Sequence, residues 1–126
     1  MYTHDDGARP AHPFSQGDIW SVPGEIRCLD SSHGPWIFNL DLDYFFWHDA
    51  EQLGLMVSDA YLETCFEKVR EKIEDRTIAV TTIALSPGHG LTGGWEPAER
   101  LAERVLQILG VDFVRRCAPS SNQFQA

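Results

Sequence analysis

The chain has few cysteines and few basic residues, and both shortages exclude classes of function. Its 126 residues include three cysteines, Cys28, Cys65 and Cys117, and no Cys-x-x-Cys pair. Widely spaced thiols in odd number support neither a disulfide framework nor a structural zinc site. Lys and Arg number 10 against 19 Asp and Glu, a net charge of −9, and the longest basic cluster is Arg115–Arg116. Such a surface repels phosphate, so nucleic acid is not expected as a partner.

Long apolar runs are also missing. No stretch is long enough to span a bilayer, and Met1–Asp6 lacks the basic region and apolar segment that begin a signal peptide. We therefore expect a soluble, cytoplasmic protein with reduced thiols and no membrane partner. At this length we expect one domain over residues 1–126, with a modest core.

Two strands and a helix are predicted in the middle of the chain. Residues 36–46 are almost continuously apolar, which is typical of a central strand covered on both faces and flanked by parallel neighbours. Ser58 is a suitable N-cap for a helix that runs to about Asp75, and residues 77–85 predict a second buried strand. The apolar stripe of the helix is Leu62, Phe66, Val69 and Ile73.

A second helix follows, with Pro97 at its first position and Gly110 as its C-terminal stop. Its apolar stripe is Ala98, Leu101, Ala102, Val105, Leu106 and Leu109. The order strand, helix, strand, helix predicts an α/β fold with a mainly parallel sheet. Other regions are expected to be irregular, namely residues 7–34 as an insertion or linker with an edge strand at 18–22, the stretch after Asp43 through Leu55, and a flexible tail at 118–126. Residues 111–114 are expected to dock as a short strand.

Asp41 and Asp43 form an Asp-x-Asp pair at the end of the first predicted strand. Residues two apart in a strand project from the same face, and two carboxylates in apolar company need a cation. The carboxyl ends of parallel strands are also where α/β proteins bind ligands, so the glycine-rich loop Ser86–Trp95 is a candidate wall of the same pocket. The alternative is that the two acids cap the next helix or lie solvated at the sheet rim.

Histidines and a second acid extend the candidate site. His4 and Asp6 would present two ligands in one direction if the segment is extended. Histidine and acidic residues at the start of a chain are, however, more often disordered surface residues than ligands. Together with Asp41 and Asp43 they form a mixed imidazole and carboxylate set that suits manganese, iron or zinc. His89 is either a general acid or base on the pocket wall or a solvated loop histidine. The loop lacks the lysine and the spacing of a phosphate-binding loop, and no nucleophile elbow surrounds a serine.

The segments 36–45 (WIFNLDLDYF), 83–87 (IALSP) and 93–95 (GGW) resemble the peptide arginase family, relatives of arginase and agmatinase. The resemblance covers residues 36 to 110. In the family, the Asp-x-Asp on a strand corresponds to metal-binding acids, and His4 and Asp6 resemble part of an Asp-x-His-x-Asp ligand motif.

The resemblance implies a three-layer arginase-like fold and hydrolysis of a guanidinium-bearing peptide or small molecule to an amine and urea. It also implies two manganese ions, about 3.5–4 Å apart in sites of this kind. His4, Asp6, Asp41 and Asp43 would be metal ligands. Asp41, as the bridge between the ions, would be a catalytic residue, and His89 is the second candidate catalytic residue because of its expected place on the pocket wall.

The chain also departs from the family pattern. Tyr2 occupies the place of the motif's first acid, Gly88 that of a glutamate suited to gripping guanidinium, and the family's upstream histidine would precede Met1. Complete ureohydrolase domains are also considerably longer. We therefore expect an incomplete arginase-like fold, partnered by a second copy or by a missing N-terminal half. The alternative function is that of a catalytically inactive remnant that binds or complements a partner.

Overall fold

The part of the chain that the computed structural model describes, residues 21–32, 34–49 and 51–113, contains both helices and strands. The elements in chain order are helix α1 (Val22–Cys28), strand β1 (Trp36–Asp41), a 3-10 turn (Leu42–Phe45), strands β2 (Phe46–Asp49) and β3 (Gln52–Leu55), helix α2 (Asp59–Glu74), strand β4 (Ile78–Ala84) and helix α3 (Trp95–Leu109). The predicted mixture of helices and strands with a parallel sheet is confirmed. Among these helices none has the length and apolar character needed to cross a membrane.

Strands β1 and β4 form a two-stranded parallel sheet, as predicted from the helical crossover between them. Ile37 is in register with Val80, Asn39 with Thr82, and Asp41 with Ala84. Because the strands run in the same direction, both end at the same edge of the sheet, where the candidate site lies.

The sheet is covered on one face only in the described residues, so the prediction of a strand buried on both faces is wrong for this part of the chain. Phe38 and Leu40 on β1 point into the core with 7% and 4% exposure, whereas Ile37 is 64% exposed and its register partner Val80 is 50% exposed. Successive residues of a strand face opposite sides of the sheet. The apolar run of β1 therefore has one buried face and one face that is exposed.

Helix α2 begins where its sequence predicts. The Ser58 hydroxyl accepts a hydrogen bond from the Tyr61 amide at 3.2 Å and so satisfies one of the free donors of the first turn. The helix buries Leu62, Cys65, Phe66 and Val69. Ile73, predicted on the buried stripe, is 36% exposed because it lies in the last turn, beyond the packed part of the face.

Helix α3 ends as predicted but starts two residues early. Gly110 caps it in the left-handed conformation at φ 75°. Trp95 opens the helix with Gly94 as N-cap, so Pro97 lies inside the first turn and not at its first position. The buried residues are Ala98, Leu101, Ala102, Val105, Ile108 and Leu109, while Leu106 is only half-buried. Residues 111–113 form no strand, and the rest of that predicted strand lies outside the described residues.

Two regions predicted to be irregular contain regular structure. Within 7–34, helix α1 begins at Val22, and the Lys72 ammonium ties its end to α2 by donating to the Leu29 carbonyl at 2.7 Å. Val22 is therefore helical and not part of an edge strand, and residues 18–20 lie outside the described residues. Within the stretch after Asp43 through Leu55, strands β2 and β3 form an antiparallel hairpin. The predicted tail at 118–126 also lies outside the described residues.

The core joins the 3-10 turn to helix α2. The rings of Phe45 and Phe66 meet edge to face with centroids 6.0 Å apart and planes at 63°, a favourable aromatic geometry. Leu42, at the start of the turn, is fully buried. These contacts fix the turn that carries one of the two candidate acids.

Candidate functional site

The two acids lie on either side of a buried residue at the end of β1. Asp41 is the last residue of the strand and is exposed, whereas Asp43 is half-buried and belongs to the 3-10 turn. The expectation that both project from one strand is therefore wrong. Burial of Leu42 and Phe45 pulls the chain into the turn, and the two carboxylates still come together.

The electrostatics of the pair show how close the carboxylates are. Partial burial raises the pKa of Asp43 above its ordinary value, and the negative charge of Asp41 and a side-chain hydrogen bond to Asp41 raise this pKa further. The proximity of His48 acts in the opposite direction and lowers the pKa of Asp43. A carboxyl whose ionisation is hindered by burial and by a neighbouring carboxylate favours a proton or a nearby cation.

Ser86 connects the end of β4 to the acid pair. Its hydroxyl donates to Asp41 Oδ1 at 2.5 Å. Its backbone has a φ of 47°, in the left-handed region that residues other than glycine rarely adopt. The predicted proximity of the loop after β4 to Asp41 is confirmed by this bond.

The loop after Ser86 is held together by hydrogen bonds among its own residues. The Gly88 carbonyl accepts hydrogen bonds from the amides of Leu91, Thr92 and Gly93 at 2.9, 3.1 and 3.3 Å. The fully buried Thr92 hydroxyl lies 2.8 Å from the Ser86 carbonyl and 3.3 Å from the Gly94 carbonyl. This network holds Ser86 in its unusual backbone conformation and so fixes the hydroxyl that reaches Asp41.

The β2–β3 hairpin brings a histidine to the site and packs against the loop. A Cβ placed on Gly93 would lie 2.7 Å from Leu53 Cδ2, so the hairpin side chain rests directly on the loop backbone. His48 is the register partner of Leu53, and its charge acts on Asp43.

The remaining predicted site residues are not joined to the acid pair in the described residues. His89 is exposed, and its ring lies beside Gly94, where a Cβ would be 3.8 Å from His89 Cε1. Across residues 21–32, 34–49 and 51–113, no hydrogen bond or ion pair connects His89 to either acid. His4 and Asp6 lie outside the described residues.

The donor atoms fit part of a metal site. Carboxylate and hydroxyl oxygens are hard ligands that suit manganese or magnesium, and a cation would relieve the repulsion that raises the pKa of Asp43. Within the described ranges, however, no group of three or more His, Cys, Asp or Glu side chains is placed to hold an ion. An ion held by Asp41 and Asp43 would therefore need further donors to complete its ligand shell.

Sequence reasoning did not single out Ser86 or His48 as site residues. The rule that parallel strands end at one edge contains the signal for Ser86, because the residue follows β4 as Asp41 ends β1. The sequence contains no such signal for His48, because the position of this residue depends on the β2–β3 hairpin, which the sequence does not predict. No protein-family model, curated protein or solved structure matches the chain.

Proposed function

We propose that the chain is a metal-dependent hydrolase of the ureohydrolase type, which converts a guanidinium group on a peptide or small molecule to an amine and urea. The supporting observation is the convergence of the Asp41 and Asp43 carboxylates with the Ser86 hydroxyl at the carboxyl edge of two parallel strands. Ligand sites of α/β proteins lie at this edge. The same proposal includes an arginase-like arrangement of the complete domain.

The acid pair suits this chemistry in two ways. Its carboxylates would hold manganese, which when bound lowers the pKa of water so that hydroxide is available at neutral pH to attack the unreactive guanidinium carbon. Their negative charge also attracts the guanidinium cation to the site. Ser86 keeps the Asp41 carboxylate in one orientation through its hydrogen bond. His4 and Asp6 are proposed to complete the ligand set.

His89 is proposed as the proton carrier. It is exposed and lies three residues after Ser86 on the closed loop. A histidine exchanges protons near neutral pH, and the amine leaving group needs a proton when its bond to the former guanidinium carbon breaks.

Manganese titration by calorimetry, with a parallel assay for urea release from arginine peptides, tests the proposal. Asp41→Asn and Asp43→Asn should each weaken manganese binding by at least about tenfold, while Asp112→Asn, an exposed acid after α3, should bind as the wild type does. Wild-type protein that does not bind manganese, or binds it equally in all variants, would contradict the metal site. Manganese binding without urea release from any guanidinium substrate would contradict the hydrolase alone.

The open face of the parallel sheet favours a second candidate function, association with another copy of the chain. Ile37 and Val80 are exposed there as register partners, beside the uncharged pair Asn39 and Thr82, whose side chains hydrogen-bond at 2.5 Å. Parallel sheets are normally covered on both faces. On a chain of charge −9, an uncharged apolar strip is a surface where two copies meet without strong repulsion, in a two-fold contact.

Light scattering coupled to size exclusion tests this second function. Wild-type protein should form a dimer that Val80→Lys disrupts, and Val111→Lys is the matched control because Val111 is similarly exposed, 52% against 50%. A monomeric wild type, or a dimer that persists equally in both variants, would refute association through this face.

A further inference from the structure

A cavity of about 430 Å³ lies between the hairpin and the helices α2 and α3, and the proposed function does not use it. Its walls are apolar, formed by Phe46 and Leu55 of the hairpin, Leu62 of α2, and Pro97 and Leu101 of α3. Phe46 and Leu55 are directly paired across the hairpin, so one side of the cavity is a continuous apolar surface. The volume is within the range of small-molecule sites.

Three charged side chains among the described residues line the cavity, and two of them, Asp59 and Arg104, are bonded to each other. Arg104 binds Asp59 at 3.4 Å and Glu63 at 2.6 Å, and its remaining terminal nitrogen donates to Gln107 at 3.2 Å. Asp59, the one acid among the described residues that line the cavity, shares Arg104 with Glu63, so these three side chains together carry a net charge of −1. Arg104 is therefore already occupied by partners within the protein.

Arg100 is different, because its partner lies outside the cavity and is easily replaced. Its Nη1 donates to Glu96 Oε1 at 3.0 Å, one turn earlier on the same helix, with side-chain exposures of 65% and 77%. An ion pair this exposed contributes little. A guanidinium has five N–H donors in a planar fork that matches a carboxylate, so Arg100 can bind a carboxylate at the cavity mouth.

We propose that the cavity binds a small apolar carboxylic acid, with its hydrocarbon part among Phe46, Leu55 and Leu101 and its carboxylate on Arg100. The apolar walls select the hydrocarbon. The Arg100 guanidinium lines the cavity and selects against a neutral or cationic head group through its positive charge and its planar fork of N–H donors. The proposal is independent of the acid pair at the sheet edge.

Titration of the full chain with octanoate, followed by amide chemical shifts and calorimetry, tests the site, with octanol and octylammonium as matched probes. Octanoate should bind saturably, about tenfold more tightly than octanol, the factor expected for hydrogen bonds to a charged partner. Arg100→Gln should reduce octanoate affinity to that of octanol and leave octanol binding unchanged. Arg70→Gln is the control, since Arg70 also pairs with a glutamate four residues away, at 3.7 Å, but does not line the cavity.

Leu55→Asp provides a second, independent variant, because Leu55 is 45% exposed and tolerates a polar replacement. A carboxylate at this position should abolish octanoate binding, and thermal melting confirms that each variant is folded. Equal affinity for octanoate and octanol would overturn the carboxylate assignment. Octanoate binding that neither Arg100→Gln nor Leu55→Asp alters would overturn the cavity itself.

Discussion

The Ser86 hydroxyl and the Asp41 carboxylate are joined by a 2.5 Å hydrogen bond across 45 residues of sequence. The bond links the ends of β1 and β4, which are the two strands of the parallel sheet. Asp41 in turn interacts with Asp43. The orientation of the acid pair therefore depends on the loop after β4 as much as on the strand that carries Asp41.

The buried hydroxyl of Thr92 should stabilise this loop measurably. Thr92→Val leaves the Ser86 and Gly94 carbonyls without that donor, and we expect the free energy of unfolding to fall by about 1–3 kcal/mol. Thr64→Val is the control, because the Thr64 hydroxyl also donates to a carbonyl, that of Ala60 at 2.9 Å, but at an exposed position where water can replace it. Urea unfolding measures both changes, and equal losses in the two variants would contradict the structural role of Thr92.

The partial burial of Asp43 and its repulsion by Asp41 should make stability depend on pH. Because the folded state raises the pKa of Asp43 above 3.8, folding favours the protonated carboxyl. Its contribution is complete below the unfolded pKa and is lost as the pH rises through the folded pKa. Without metal, Asp43→Asn should therefore stabilise the protein at neutral pH, by only about 0.5 kcal/mol because the pair is largely solvated. Melting temperatures across acidic and neutral pH test this, and a variant less stable than wild type at neutral pH would contradict it.

Local signals in the sequence predicted part of this structure and missed the rest for a physical reason. Ser58 and Gly110 mark helix ends through backbone chemistry that depends on few neighbours. The division of residues 36–46 into a strand, a turn and the start of a hairpin depends instead on which apolar residues find the core. Leu42 and Phe45 are three apart and both buried, a helical spacing hidden within a continuous apolar run.

The candidate site was likewise predicted in part and missed in part. The end of a parallel strand placed Ser86 near Asp41 in a way that topology alone predicts. The position of His48 required the β2–β3 hairpin, whose connecting residues Ala50 and Glu51 include no glycine or asparagine to mark a tight turn. Because the sequence does not predict this hairpin, the spacing of residues along the chain cannot assign His48 to the site.

Cys65 should be inert to thiol reagents in the folded protein. It is fully buried in α2, and desolvation raises the pKa of its thiol to about 12, so almost none is present as the reactive thiolate. In the variant Cys28→Ser/Cys117→Ser, whose one remaining thiol is Cys65, a disulfide reagent should react only after denaturant is added. The single variant Cys117→Ser, which retains the exposed Cys28, should react at once under native conditions. Rapid labelling of Cys65 in the folded protein would contradict its burial.

Arg104 should hold α3 to α2 in a salt-dependent manner. It bridges from α3 to Asp59 and Glu63 on α2, whereas the Arg100 pair lies within one helix. Arg104→Gln should lower the melting temperature more than Arg100→Gln, and the difference should shrink in high salt because these charges are partly exposed and screened. Melting curves at low and high salt measure the effect, and equal sensitivity of the two variants would show that the interhelical bridge contributes nothing.

Gly93 should be the least replaceable glycine of the loop. Its φ of 84° is in the left-handed region, and a Cβ there would lie 2.7 Å from Leu53 Cδ2. The Leu53 side chain can shift, but the backbone cost of about 1–2 kcal/mol remains for any L-residue. Gly93→Ala should therefore destabilise the protein by about that amount. Gly90→Ala is the matched control, since a Cβ at Gly90 meets nothing within 4 Å and its φ lies outside the positive range.

Because Gly93 belongs to the network around Gly88 and Thr92 that holds Ser86, hydrogen exchange at the Thr92 amide should also accelerate in Gly93→Ala and not in Gly90→Ala. Unchanged exchange in a destabilised Gly93→Ala would separate the stability of the loop from the positioning of Ser86.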